Sequence, residues 1–236
     1  MKRFFLLLLL APVGACGSPA PYSTTEGILR PGASLIVNLE RGRLDVYQPA
    51  AGQRRDLFTV SATALRDGKA PPPALRARGR NLVVDAGALA SLLVRVPTGV
   101  NLAVRSGEGD VNVTDIGGNA RIAARRGNVT LMLPGYAEAT VAQGTLAVTM
   151  GAMRWPGTLR FSVGRGDVVL RVPATASFGV HLHTGDGTLF TEFALRGNSA
   201  GTAETIDGTV NGGGPQQIWA QTQHGAIRLL RLQPQP

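Results

Sequence analysis

The sequence predicts an all-β domain, a β-solenoid or parallel β-helix-like stack of repeats with a period of about 17–22 residues. Three observations predict it. Gly is abundant at 31 of 236 residues, and short runs of Val, Leu, Ile and Thr alternate with polar residues while helix signals are nearly absent; period-2 alternation is the strand pattern. The glycines Gly109, Gly127, Gly144, Gly166, Gly187, Gly208 and Gly225 recur at spacings of 18, 17, 22, 21, 21 and 17. The residues two past them, Val111, Val129, Leu146, Val168, Leu189, Val210 and Ile227, are all branched aliphatics.

Each unit reads as a strand, a tight turn at the glycine and a second strand, with alternate side chains facing inward. Glycine supplies the positive φ of such turns, and the Asp or Asn beside it (Asp110, Asn128, Asp167) caps the turn. One unit cannot bury its inner face alone, so neighbours stack to enclose a continuous aliphatic core. An antiparallel β-sandwich built from the same hairpins is the rival arrangement. Constant phase favours the stack, because equivalent positions then lie above one another.

Before the regular array, Leu35–Leu39 leads into Arg41-Gly42-Arg43-Leu44-Asp45-Val46, an early copy of the unit. Leu57–Ala64 and Asn81–Val84 read as strands, separated by an exposed loop from Asp67 to Pro73, and Leu92–Pro97 leads into the array. The expected organisation is a signal over residues 1–15, a lipidated Cys16 with a tether to residue 26, one β domain over 27–232 and a tail over 233–236.

The signal expectation rests on chemistry at the N-terminus. Lys2 and Arg3 precede an unbroken apolar run from Phe4 to Ala11, a charged start and short apolar core typical of secretory signals. The run is shorter than the roughly 20 residues that cross a bilayer. Val13-Gly14-Ala15-Cys16 resembles the bacterial lipobox, which implies cleavage before Cys16 and acylation there. Several acyl chains hold a protein stably where one is marginal. Gly17, rather than Asp, in the next position implies the outer membrane. Cys16 is also the only cysteine, so a lipidated form has no disulfide and relies on packing.

The chain carries 24 Lys+Arg against 15 Asp+Glu, a balance that favours anionic partners; export argues against nucleic acid. The outward positions carry the sharper signal. Arg121 and Arg160 lie six before their glycines, Arg126 and Arg165 one before theirs, and Arg105 on the same face. Stacking would gather them into a surface for anionic glycans, lipid phosphates or an envelope protein. His181 and His183 share a strand face and, with Asp186 or His224, form a weak candidate metal site. Their phase, the same as Arg121, Arg160 and Ser162, favours plain surface residues instead. Asp110, Asp167, Asp186 and Asp207 beside the glycines could ligate calcium or form a glycosidase pair, but turn capping explains them more simply. No nucleophile elbow or phosphate loop occurs, and Gly212-Gly213-Gly214 is a turn with no helix after it. No cofactor is implied.

Val96-Pro97-Thr98-Gly99 before the array, the paired forms Val104–Val111 and Phe161–Val168, and the glycine triplet before Gln223–Leu229 together resemble a bacterial "putative adhesin" family of β-strand repeats, a domain of unknown function. The resemblance spans nearly all of the expected mature chain. It implies a right-handed β-helix-like fold, an envelope location and no established activity. Gly144-Thr145 and His224-Gly225-Ala226 depart from its Gly-Asp turns. The function expected is non-enzymatic adhesion, scaffolding or envelope sensing; a polysaccharide lyase or hydrolase on the same fold is the alternative, disfavoured by the scarcity of aromatics.

Overall fold

The computed structural model describes residues 22–48, 56–64, 71–151, 155 and 157–232. Cys16, the signal, most of the tether, Asp67–Ala70 and the tail lie outside them. The described residues are all-β, with no helix. The strands before the array are β1 (Tyr22–Ile28), β2 (Ser34–Tyr47), β3 (Leu57–Thr63), β4 (Ala74–Arg78) and β5 (Asn81–Arg95). Four regular pairs follow: β6 (Asn101–Glu108) and β7 (Val111–Thr114), β8 (Ala120–Arg126) and β9 (Val129–Leu133), β10 (Ala137–Gln143) and β11 (Leu146–Met150), and β12 (Thr158–Arg165) and β13 (Val168–Pro173). The last strands are β14 (Phe178–Asp186), β15 (Leu189–Thr191), β16 (Gly197–Ala200), β17 (Ala203–Val210), β18 (Gln217–His224) and β19 (Ile227–Leu232).

All nineteen belong to one hydrogen-bonded sheet that wraps, barrel-like, around a single apolar core. Each rung has a first arm before the corner and a second arm after it; β2 and β5 run through both. First arms pair in parallel in the order β5, β2, β6, β8, β10, β12, β18, β14. Second arms follow the same order through β7, β9, β11, β13, β19 and β15. The stack therefore departs from chain order at both ends. β2 lies inside β5, and the final rung, β18–β19, is inserted between β12–β13 and β14–β15.

Antiparallel pairing is confined to the two ends. β4 covers the first arm of β5, while β3 and then β1 extend its second arm. At the far end β17 covers β14, and β16 covers β17. A stack of this kind needs such caps, because a bare terminal rung would offer open strand edges. Residues 22–26, expected in the tether, are strand β1 and belong to this cap.

The inward column two past each corner holds along the regular rungs, whereas Leu189, expected in it, is only half-buried. Leu44, Val111, Val129, Leu146, Val168 and Ile227 are each fully buried. Parallel strands about 4.8 Å apart bring these side chains into van der Waals contact.

The corners form a second column. Gly42, Gly109, Gly127, Gly144, Gly166, Gly225 and Gly187 all have positive φ, between 122° and 155°. A Cβ on Gly127 would sit 2.1 Å from the carbonyl oxygen of Gly109, and one on Gly144 2.0 Å from that of Gly127. Close approach between rungs thus demands glycine as strongly as the turn does. Gly208 is a correction: it lies inside β17 opposite Val180 and makes no corner. Ala203 five before it and Val210 two past it reproduce the phase of a rung within an antiparallel strand. Asp110 and Asn128 are a second correction. Asp110 Oδ1 accepts from the backbone N–H of Asn128 at 2.9 Å, and Asn128 Oδ1 from that of Thr145 at 3.1 Å. The caps join successive rungs rather than closing their own turns.

Candidate functional site

The outer face of the first arms carries most of the polar chemistry, in rows that cross the rungs. One row reads Arg121, Glu138, Arg160, Trp219, His181 and Asp207, each the register partner of the next. Arg121 Nε donates to Glu138 Oε2 at 3.1 Å, and Arg160 Nη1 lies 3.8 Å from Oε1 of the same carboxylate. The Tyr136 hydroxyl donates to Glu138 as well. That hydrogen bond, ahead of the two guanidiniums, holds the Glu138 carboxyl below its ordinary value despite partial burial. Burial first, and then Glu138, push the Tyr136 phenol up. Further along, the Trp219 and His181 rings stack with centroids 5.8 Å apart and planes 9° apart, and His181 Nδ1 contacts Asp207.

The row at the corner alternates in the same way. Arg41 Nε and Arg126 Nη1 both bind Glu108, at 3.0 and 3.1 Å, and Arg126 Nε donates to Gln143. The Arg41 hydrogen bond leads the forces that lower the Glu108 carboxyl. Arg165 follows Gln143, then His224, whose Nδ1 is 3.5 Å from Asp186.

The five arginines expected to form one cationic surface therefore share a face but fall in three rows. Arg121, Arg126 and Arg160 are tied to Glu138 or Glu108. Among the described residues, Arg105 and Arg165 have no carboxylate partner. His181 and His183 point instead across to β17, to Asp207 and Thr205, and no cluster of three metal-ligating groups occurs among the described residues. The turn carboxylates are also engaged: Asp110 and Asp167 cap the next rung, while Asp186 and Asp207 face His224 and His181.

Glu138 and Trp219 were missed in the sequence although their phase identifies them, since each stands six before its glycine, as Arg121 and Arg160 do. The outer face of the second arms differs. Its rows pass through Asn112, Thr130, Ala147 and Val169, and through Thr114, Met132, Thr149 and Arg171, uncharged from β7 to β11, with cations at Arg171 on β13 and then Arg228 on β19.

The first-arm face is also concave near its β5 end. A groove of about 640 Å³ is bordered by Asn38, Glu40, Asp85, Gly107, Arg105 and Arg125. It adjoins a second hollow of about 440 Å³ reaching Arg76 and Arg78 on β4. Asn38 Nδ2 donates to Asp85 Oδ1 at 2.7 Å, and Arg76 lies 3.8 Å from the same carboxylate.

The fold is similar to that of a solved "putative cell adhesion protein" from Clostridium sporogenes, at 12% identity and a TM-score of 0.50, covering 89% of this chain and 100% of that one. A "putative adhesin" from Bacteroides fragilis aligns at 9% identity and a TM-score of 0.30, over 89% of this chain and 97% of that one. At this identity the likeness to the first concerns the fold alone. No family model matches the sequence, and no curated protein does.

Proposed function

We propose that this chain is a lipid-anchored protein of the bacterial cell envelope, held to the outer membrane through Cys16, whose domain binds rather than catalyses. In this reading the parallel stack is a β-solenoid, right-handed as the adhesin resemblance implies, and serves adhesion or scaffolding. The observation that carries the proposal is the first-arm face. Side chains there stand at fixed strand spacing on a packed core, with Arg105, Arg121, Arg126, Arg160 and Arg165 on one surface. Such a frame suits repeated, shallow contacts with an extended anionic glycan or an envelope protein. The similar fold of the Clostridium sporogenes protein supports adhesion as the class of function.

Because β1 begins at Tyr22, six positions after Cys16, the lipid would keep the capped β1–β3 end close to the bilayer. Cell fractionation tests the anchor. The full chain is expected in the membrane fraction and to incorporate labelled palmitate, with Cys16→Ala abolishing the label and releasing the protein. Membrane retention of Cys16→Ala at the wild-type level would contradict it.

A further inference from the structure

We propose that the groove between β4 and β8 on the first-arm face is a binding site for a uronic-acid-bearing polysaccharide. The inference rests on the reading of this face as an anion-binding surface and assigns it a place.

The local sequence makes the hollow. Val83, Ile36 and Ala103 are register neighbours and carry short apolar side chains on this face. Gly107 has no side chain, and a Cβ there would sit 2.2 Å from the Glu40 carbonyl oxygen, so the floor stays bare. The Arg125 guanidinium leans over this bare position, with Nη2 3.5 Å from where that Cβ would be.

Cations stand at both rims. Arg76 and Arg78 rise from β4, and Arg105 and Arg125 from β6 and β8. Arg78, Arg105 and Arg125 are exposed and, among the described residues, have no carboxylate in ion-pair reach. This separates them from Arg121, Arg126 and Arg160, which neighbouring carboxylates already occupy. Of the two carboxylates in the lining, Asp85 is taken up by Asn38 and Arg76 and Glu40 is exposed, so four arginines (Arg76, Arg78, Arg105, Arg125) against two acids leave the groove cationic.

The rims are four strand spacings apart, about 19 Å. That span fits a polymer with separated anionic groups better than a single small ion. Guanidinium pairs carboxylates bidentately, and an apolar floor between them suits the C–H face of a sugar ring. A uronate chain offers both: carboxylates at intervals and rings between them.

The test uses the full-length protein in detergent micelles and polygalacturonate as probe, with neutral dextran as control, at about 50 and about 300 mM salt, a range over which exposed charges become screened. Expected is salt-sensitive binding of polygalacturonate alone, weakened at least tenfold by Arg105→Ala with Arg125→Ala. It should be unchanged by Arg171→Ala with Arg228→Ala, which removes the same charge from the second-arm face. A thermal melt of each variant checks folding. Equal loss in both double variants would overturn the groove in favour of diffuse charge. Binding that survives the groove variant but is lost with Arg121→Ala and Arg160→Ala would overturn the groove and leave the broader face reading intact. No binding by the wild type, or binding to anionic vesicles instead, would overturn both.

Discussion

A methyl group on Gly127 would meet the Gly109 carbonyl oxygen at 2.1 Å, on a residue whose φ is +127°. Neither fault can relax without parting two rungs, so Gly127→Ala is expected to cost at least about 2 kcal/mol, in the range of severe backbone and packing lesions. Gly135 has open space around its would-be Cβ, and Gly135→Ala should stay within about 0.5 kcal/mol of wild type, as surface changes do. Denaturant titration of both variants makes the comparison, and equal costs would contradict a glycine column set by close approach. Glu138 gives a pH signature. Its carboxyl titrates below the ordinary 4.5 in the folded chain, so the unfolded state binds the proton more readily, and the stabilisation present above about pH 4.5 is lost as pH falls through the folded value. The Tyr136 phenol is raised above 10.0, so its contribution holds below that pH and fades above it. Glu138→Gln should therefore flatten part of the acid limb of the melting curve; an unchanged limb would show that other carboxylates carry it. The exposed guanidiniums around Glu138 add little to stability by themselves.

The elements divide into those legible from phase and those that are not. Strands, corners and inward columns between Asn101 and Pro173 follow from the glycine spacing, because one residue of slip would turn Val129 or Leu146 outward. The order of rungs does not follow. Identical inward patterns stack on one another equally well, so nothing local distinguishes β12 followed by β14 from β12 followed by β18. Gly208 misled for the same reason, since alternation alone cannot separate a parallel from an antiparallel partner. The absent apolar residue four past it, at Gly212, was the available warning. Insertion of β18–β19 has a measurable consequence. Strands flanked on both sides should exchange amide protons as slowly as β8 and β10, although they lie near the end of the chain, while β16, paired on one side only, should exchange early. Early exchange of β18 and β19 would contradict the inserted rung.

Across the whole molecule, the two outer rungs by chain order, β2 and β18–β19, are each one place in from the ends of the stack. Those two rungs are thus held by strands on either side, and antiparallel strands cover the rungs outside them. The result is a stiff frame without a disulfide, one face laced with carboxylate–guanidinium contacts and the other uncharged from β7 to β11. The candidate site was half legible. Arg105 was found by phase, but Arg125 reaches the groove over Gly107, and Arg76 and Arg78 arrive on a short capping strand with no place in the repeat. Those depend on packing that the period does not encode. The most direct test of an envelope-anchored, anion-binding frame is the retention, on immobilised polygalacturonate, of membranes from cells carrying the full chain. The account predicts retention at about 50 mM salt and release by about 300 mM. Equal retention of membranes without the protein, or retention indifferent to salt, would contradict it.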